Sequence, residues 1–348
     1  MSNDMNKGVT VVRTADGALR LTIPLTITVR LGGAAGRVSA TAPPPTVAPA
    51  PTPVGDPGTQ PAPQEDPQEL QALLVDAEAF HDRAYIPQDD DAARDAYYAE
   101  IDPGADPEAL FEALHALLAD THKKKLSYAP ASHLYPWVDR QPNGGIRSLY
   151  TGEEFDVPTL IRESFRAEET LRLRAEALRR QESLSTTERA IQLDALEAQL
   201  AFNCEHVVPQ SWFGKQSPMR GDLHHLFACE TKCNSFRGNT PYFDFTDFEE
   251  RVMQDCGRND RDKFEPKKGK AEAARATLYF LLRYPGQVSP HEMPQNRLPT
   301  LVQWAQSEPP SDYEKHRNAA VFAVQGNRNP LIDHPEWIDQ IAFEKGIF

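Results

Sequence analysis

Residues 39–68 read SATAPPPTVAPAPTPVGDPGTQPAPQEDPQ, and no packed structure can run through them. Proline fixes φ and has no N–H to give to a ladder, so a Pro/Ala/Thr stretch stays extended and semi-rigid. The chain must therefore build its core on one side or the other. We place an N-terminal segment at 1–38, the Pro-rich linker at 39–66 and the main domain at 67–348. The last is long enough for a sizeable core.

Before the linker, ALRLTIPLTITVRL at 18–31 alternates strictly, with Leu19, Leu21, Ile23, Leu25, Ile27, Val29 and Leu31 on one face. That period is a half-buried strand. VTVVRT and the turn-like ADG precede it, so a β-hairpin is predicted, with Pro24 confining the run to a sheet edge. A lone hairpin is marginal in water. It needs a partner: its own copy, the main domain or another protein.

Beyond the linker the pattern is helical. DPQELQALLVDAEAFHDRAY and DPEALFEALHALLADTHKKK both open on Asp-Pro, a helix-start signal. Residues 158–202 read as two amphipathic helices, the second started by a capping box at Ser185–Glu188. GKAEAARATLYFLLRY and a stretch near 312–325 supply further helices.

The net charge of −14 argues against a nucleic-acid enzyme until it is located. Residues 56–120 carry seventeen Asp and Glu against two Arg, so the rest of the chain is close to neutral, with basic runs at 123–125 and 265–270. Segregated charge is compatible with a local phosphate-binding face. No twenty-residue apolar run exists, so no transmembrane helix and no membrane partner are expected. MSNDMNKGVTVVRTADG lacks the pattern of a secretory signal, and a cytosolic location is the expectation.

The chemistry concentrates in NCEHVVPQSW, residues 203–212, and MRGDLHHLFACETKCNSFRGNTPY, residues 219–242. A carboxylate, Glu205, stands beside an imidazole, His206, on a short apolar strand. CETKCNSFRG has no breaker before Gly238, so it is predicted to be a helix ending on that glycine. Glu230, Asn234 and Arg237 share one of its faces and Cys229, Cys233 and Phe236 another. Phosphodiester hydrolysis needs a base for water, a cation for the developing charge and a cationic grip on phosphate. His206 suits the first. Glu205 and Asn234 offer hard oxygens suited to Mg²⁺, and Arg220 or Arg237 could hold phosphate. Adjacent strand residues point to opposite faces, so Glu205 and His206 can share a site only where the strand twists or ends. His224 and His225 read as structural.

These residues resemble a known family. CEHVVPQSWF, DLHHLF, NSFRGN, ARATLYFLLRYPG (274–286), YEKHRN (313–318) and QGNRNPLIDHPEW (325–337) are similar to motifs of the bacterial endonuclease I family, within the His-Me finger superfamily whose ββα-metal motif cuts DNA. The resemblance covers roughly 125–348. It implies an α+β fold, with a mainly helical body around a ββα-metal site, and Mg²⁺- or Mn²⁺-dependent cleavage of DNA with little sequence specificity. By the same resemblance His206 is the general base, Glu205 and Asn234 are metal ligands, and Arg220 is a phosphate-binding arginine. Arg237 and Asn239 match motif positions. RNA or either sugar as substrate, and an inactive binding protein on the same fold, are the alternatives. The helices of 158–202 read as an insertion, and the hairpin and linker lie outside the family pattern.

Four cysteines, Cys204, Cys229, Cys233 and Cys256, surround the motif. A cytosolic chain disfavours disulfides. Two readings follow: buried small hydrophobes, or a structural Zn²⁺ site of four thiolates.

Overall fold

The computed structural model describes residues 10–13, 19–22 and 66–347, apart from 88, 182–183, 198–199, 201–202 and 249–254. Its contacts divide the chain into two units, residues 1–60 and 61–348. In the first, β1 (Thr10–Arg13) pairs antiparallel with β2 (Leu19–Thr22), Thr10 opposite Thr22. Residues 14–18, which join the two strands, lie outside the described residues. The alternating run past Thr22 and the Pro-rich linker lie outside the described residues.

The second unit is mainly helical. Both Asp-Pro signals start helices: Asp66 caps α1 (Pro67–Glu78) by accepting from the Gln68 amide at 2.9 Å, and Asp106 caps α3 (Pro107–Thr121) by accepting from the Ala109 amide at 3.1 Å. Between them lies α2 (Asp90–Tyr97), and after them α4 (Pro130–His133). The pair β3 (Ile146–Arg147) and β4 (Glu154–Phe155) leads into α5 (Val157–Arg179) and α6 (Thr186–Glu197). The capping box before α6 forms, with the Ser185 amide donating to Glu188 at 2.8 Å and the Glu188 amide donating back at 3.2 Å. The first half of α5 buries Leu160, Ile161 and Phe165 against α1 and α4, so this helix is built into the body.

Next come β5 (Cys204–His206), β6 (Leu226–Ala228), α7 (Thr231–Arg237) and the hairpin of β7 (Gly257–Asp260) with β8 (Lys263–Pro266). Helix α8 (Lys270–Arg283) is the centre: every residue but Lys270 and Glu272 is buried. Such a helix shows no single apolar stripe because it is packed on all sides. Around it stand α3, α9 (Leu298–Ser307), α11 (Pro330–Asp333) and the turn Leu223–His225. α10 (Asp312–Gln325) reaches it through Glu314, whose carboxylate holds the buried Arg275 of α8 at 2.7 and 2.8 Å. Among the described residues the strands make only two-stranded pairs. The result is an α+β architecture dominated by helices.

QGNRNPLIDHPEW locks this body. Gln325 donates to Asp222 at 3.0 Å and accepts from the Leu223 amide at 2.7 Å. Arg328, fully buried, pairs with Asp90 at 2.8 Å and Asp333 at 2.7 Å. The first contact braces the turn before β6, and the second ties α2 to α11.

Candidate active site

The site is built as strand, strand, helix. Three residues of β5 face three of β6 in antiparallel register, with Glu205 opposite Phe227 and His206 opposite Leu226. The ladder extends by the Cys229 amide to the Asn203 carbonyl at 3.0 Å and the Val207 amide to the His225 carbonyl at 3.1 Å. Pro209 follows, and proline cannot continue a ladder. Helix α7 then packs against β5 and stops at Gly238, whose φ of 56° suits a residue without Cβ.

Glu205 and His206 do point apart, as strand geometry demands. Glu205 turns toward α7 and Tyr150, and His206 toward the loop between the strands. They share a site because β5 is so short: both line one cavity of about 360 Å³ at its end, together with Asn234, Gly238 and Asn239.

Glu205 is buried, and its Oε1 accepts from the Tyr150 hydroxyl at 2.8 Å and from Arg237 Nη1 at 2.9 Å. Tyr150 is braced in turn by the Tyr242 hydroxyl at 2.7 Å. Oε2 makes no hydrogen bond among the described residues. Burial pushes the carboxyl up to about 7, against the opposing pull of the Arg237 guanidinium and the Tyr150 hydroxyl.

His206 is buried beside Tyr128 and His225, with ring centres 4.8 and 5.3 Å away. Its Nε2 lies 3.0 Å from the Arg220 carbonyl. A carbonyl can only accept, so Nε2 carries the proton and Nδ1 holds the lone pair. Burial, reinforced by His225, holds the imidazole well below its ordinary range, and it is neutral at neutral pH.

Asn234 donates Nδ2 to the Cys204 carbonyl at 2.9 Å. The same logic fixes its amide: nitrogen faces the carbonyl, and Oδ1 is the atom left without a partner among the described residues. A carboxylate oxygen and an amide oxygen on one cleft are donors that fit a hard cation keeping several waters. No group of three or more His, Cys, Asp or Glu side chains converges among the described residues.

Arg220 and Arg237 are placed very differently. Arg237 is buried, and its guanidinium donates to Glu205, to the His206 carbonyl at 3.1 Å, to the Val207 carbonyl at 2.8 Å and to the Thr240 carbonyl at 3.2 Å, with Tyr242 stacked 5.0 Å away. It holds the end of β5 from behind. Arg220 is partly exposed over the Tyr128 ring, and its side chain reaches Gln210 at 2.8 Å and Glu197 at 2.7 Å. Asn239 is exposed on the cleft rim. Behind the loop, His224 and His225 donate Nε2–H to the carbonyls of Asn327 and Met219, and Asp222 accepts from Tyr279 and Tyr284. These histidines are scaffold.

Sequence reading missed Tyr150, Tyr242, Glu197 and Lys215. Tyr150 precedes Glu205 by 55 residues, and nothing in a local pattern could pair them.

The zinc reading falls. Cys233 and Cys256 form a disulfide, with Cα atoms 5.3 Å apart, while Cys204 and Cys229 are buried and free. Two of the four sulfurs are bonded to each other, so four thiolates cannot meet. The bond ties α7 to the strand β7 that begins one residue later.

A family model described as endonuclease I matches residues 145–336. The chain is 33% identical over 157 residues to an extracellular ribonuclease of Bacillus amyloliquefaciens, covering 40% of this chain and 53% of that protein. It is 32% identical over 157 residues to an extracellular ribonuclease of Bacillus subtilis (strain 168), covering 40% and 54%. An extracellular deoxyribonuclease of Aeromonas hydrophila is 29% identical over 163 residues, covering 37% and 64%. The chain thus spans about half the length of the ribonucleases it matches. Every one of these relatives is named extracellular. That overturns the expectation of a cytosolic chain, and a disulfide fits an oxidising compartment better than the cytosol. With more than half of its residues under the family model and the motif residues gathered at one cleft, the chain belongs to the endonuclease I family.

Proposed function

We propose that the protein is a secreted nuclease that hydrolyses phosphodiester bonds, with His206 as general base and Glu205 and Asn234 as ligands of a divalent cation, Mg²⁺ or Mn²⁺. One observation carries this reading: among the described residues, the hydrogen bonds that fix their groups leave His206 Nδ1, Glu205 Oε2 and Asn234 Oδ1 without a partner, and all three residues line the same 360 Å³ cleft.

His206 is already neutral, so it can take a proton from water without first losing one. The Arg220 carbonyl on Nε2 stabilises the imidazolium that forms. Arg237 and Tyr150 orient the Glu205 carboxylate, and neither reaches the reacting phosphate. Arg220, at the partly exposed edge, is the side chain suited to grip a non-bridging oxygen. A bound Mg²⁺ would supply charge stabilisation for the transition state and leaving oxygen.

The substrate is DNA, cut with little sequence specificity. A second reading, RNA or either sugar, is favoured by the two ribonuclease relatives. Phosphate-centred chemistry does not itself read the 2′-hydroxyl. Incubating the purified chain with supercoiled plasmid, linear DNA and RNA, with Mg²⁺ or EDTA, tests both. Mg²⁺-dependent nicking is the expected outcome. No cleavage of any substrate in Mg²⁺ would leave the fold serving a binding protein.

A further inference from the structure

Glu197, the last residue of α6, holds two cations with one carboxylate. Oε1 takes Arg220 Nη2 at 2.7 Å and Oε2 takes Lys215 Nζ at 3.0 Å. This is the pattern that the two non-bridging oxygens of a phosphodiester would make with the same pair. Lys215 is built into position: its φ is 55°, a left-handed backbone that lysine rarely adopts, and its amide donates to the Gln210 carbonyl at 2.9 Å. Gln210 also receives Arg220 Nε at 2.8 Å. The pair borders the reaction site, since the Arg220 carbonyl fixes His206 and Lys215 lines the same cleft as Glu205, His206 and Asn234.

We propose that Lys215 and Arg220 form a two-cation phosphate subsite of this cleft, and that Glu197 occupies it in the substrate-free chain as an internal competitor that nucleic acid displaces. The proposal rests on the nuclease reading above. The exchange is balanced in charge. A phosphodiester replacing the carboxylate leaves both cations paired, and Glu197 turns to water by rotating its own side chain. The side chains of Lys215 and Arg220 are 33% and 26% exposed and that of Glu197 is 13%, so both ion pairs reach solvent and are partly screened by it. The apparent affinity is the intrinsic one multiplied by the fraction of molecules in which the carboxylate is unseated.

The test uses the full chain carrying His206→Ala, which slows turnover, kept in EDTA so that no divalent cation supports cleavage, and a fluorescein-labelled single-stranded DNA of about twelve nucleotides. Binding is read by anisotropy, and thermal unfolding checks that each variant is folded. Adding Glu197→Gln should tighten binding about five-fold, and adding Lys215→Met to that variant should abolish the gain. A folded Glu197→Gln variant that binds no better overturns the competitor. A gain that survives Lys215→Met overturns the subsite. Plasmid and RNA cleavage by the parent chain is scored separately. If the parent cuts and Glu197→Gln brings no gain, the nuclease reading stands and this one falls. If the parent cuts nothing, the nuclease reading falls and anisotropy still decides the subsite.

Discussion

At the scale of single residues, the two arginines near Glu205 separate by what surrounds them. Arg237 is sealed in, with its donors spent on Glu205 and three carbonyls. Arg237→Met would leave a buried carboxylate without its cation, and removing one partner of a buried pair costs about 3–5 kcal/mol. Urea unfolding should record that loss directly. A phosphate-gripping arginine would instead lose turnover with stability unchanged, so the two outcomes discriminate. His206→Ala should lower kcat by ~10²–10⁴ while Mn²⁺ binding, followed by calorimetry, stays near that of the parent, because only proton transfer is lost. Glu205→Ala and Asn234→Ala should weaken the metal, and excess Mg²⁺ should recover part of their activity. Equal cleavage by His206→Ala and the parent would remove the imidazole from the chemistry.

Among the elements, α7 carries most of the site. Asn234 and Arg237 lie on its face toward β5, Cys233 lies on its buried face, and the disulfide to Cys256 pins it to the start of β7. Cross-linking residues 23 apart restricts the unfolded chain by about 3 kcal/mol in the chain-entropy account. A Cys233→Ser variant should therefore unfold at lower urea by about that amount. Dithiothreitol should lower the melting temperature of the parent and leave the variant's unchanged. The strand β5 shows why a short element is useful: because it ends at Val207–Pro209, side chains on its two faces can meet one cleft.

For the whole molecule, acid stability follows from the histidines beneath the site. Burial holds His224 down at about 4, with Asp222 pulling the other way, and burial also lowers His122 and His225. The sign is set by which state takes up the proton. Between pH 6.5 and about 4 the unfolded chain binds a proton on His224 and the folded chain does not. Stability is therefore full above pH 6.5 and declines as pH falls toward 4, by up to about 3 kcal/mol from His224 alone. Burial alone would raise Asp222, yet the facing histidines and Gln325 hold it well below the carboxylate range, which places its own loss at lower pH still. Urea midpoints measured across pH 4–8 should fall on the acid side. A flat profile would mean that these histidines are protonated in the fold.

The local signals in this sequence were sufficient for what local physics controls. Asp66-Pro67 and Asp106-Pro107 start helices, Ser185–Glu188 caps one, Gly238 ends α7, and Leu19–Thr22 forms a strand, each through groups within a few residues of one another. The pairing of Glu205 with His206 and Asn234 was legible as chemistry because those residue types at that spacing resemble a family's motif. Tertiary structure alone decided the rest. Tyr150 reaches Glu205 across 55 positions, Glu197 reaches Arg220 across 23, and Cys233 finds Cys256 rather than a metal. The direction a guanidinium turns, inward to a carboxylate or outward to a cleft, depends on which donors and acceptors folding brings beside it. Arg220 and Arg237 look alike in the sequence, and only the fold seals one in and leaves the other partly exposed.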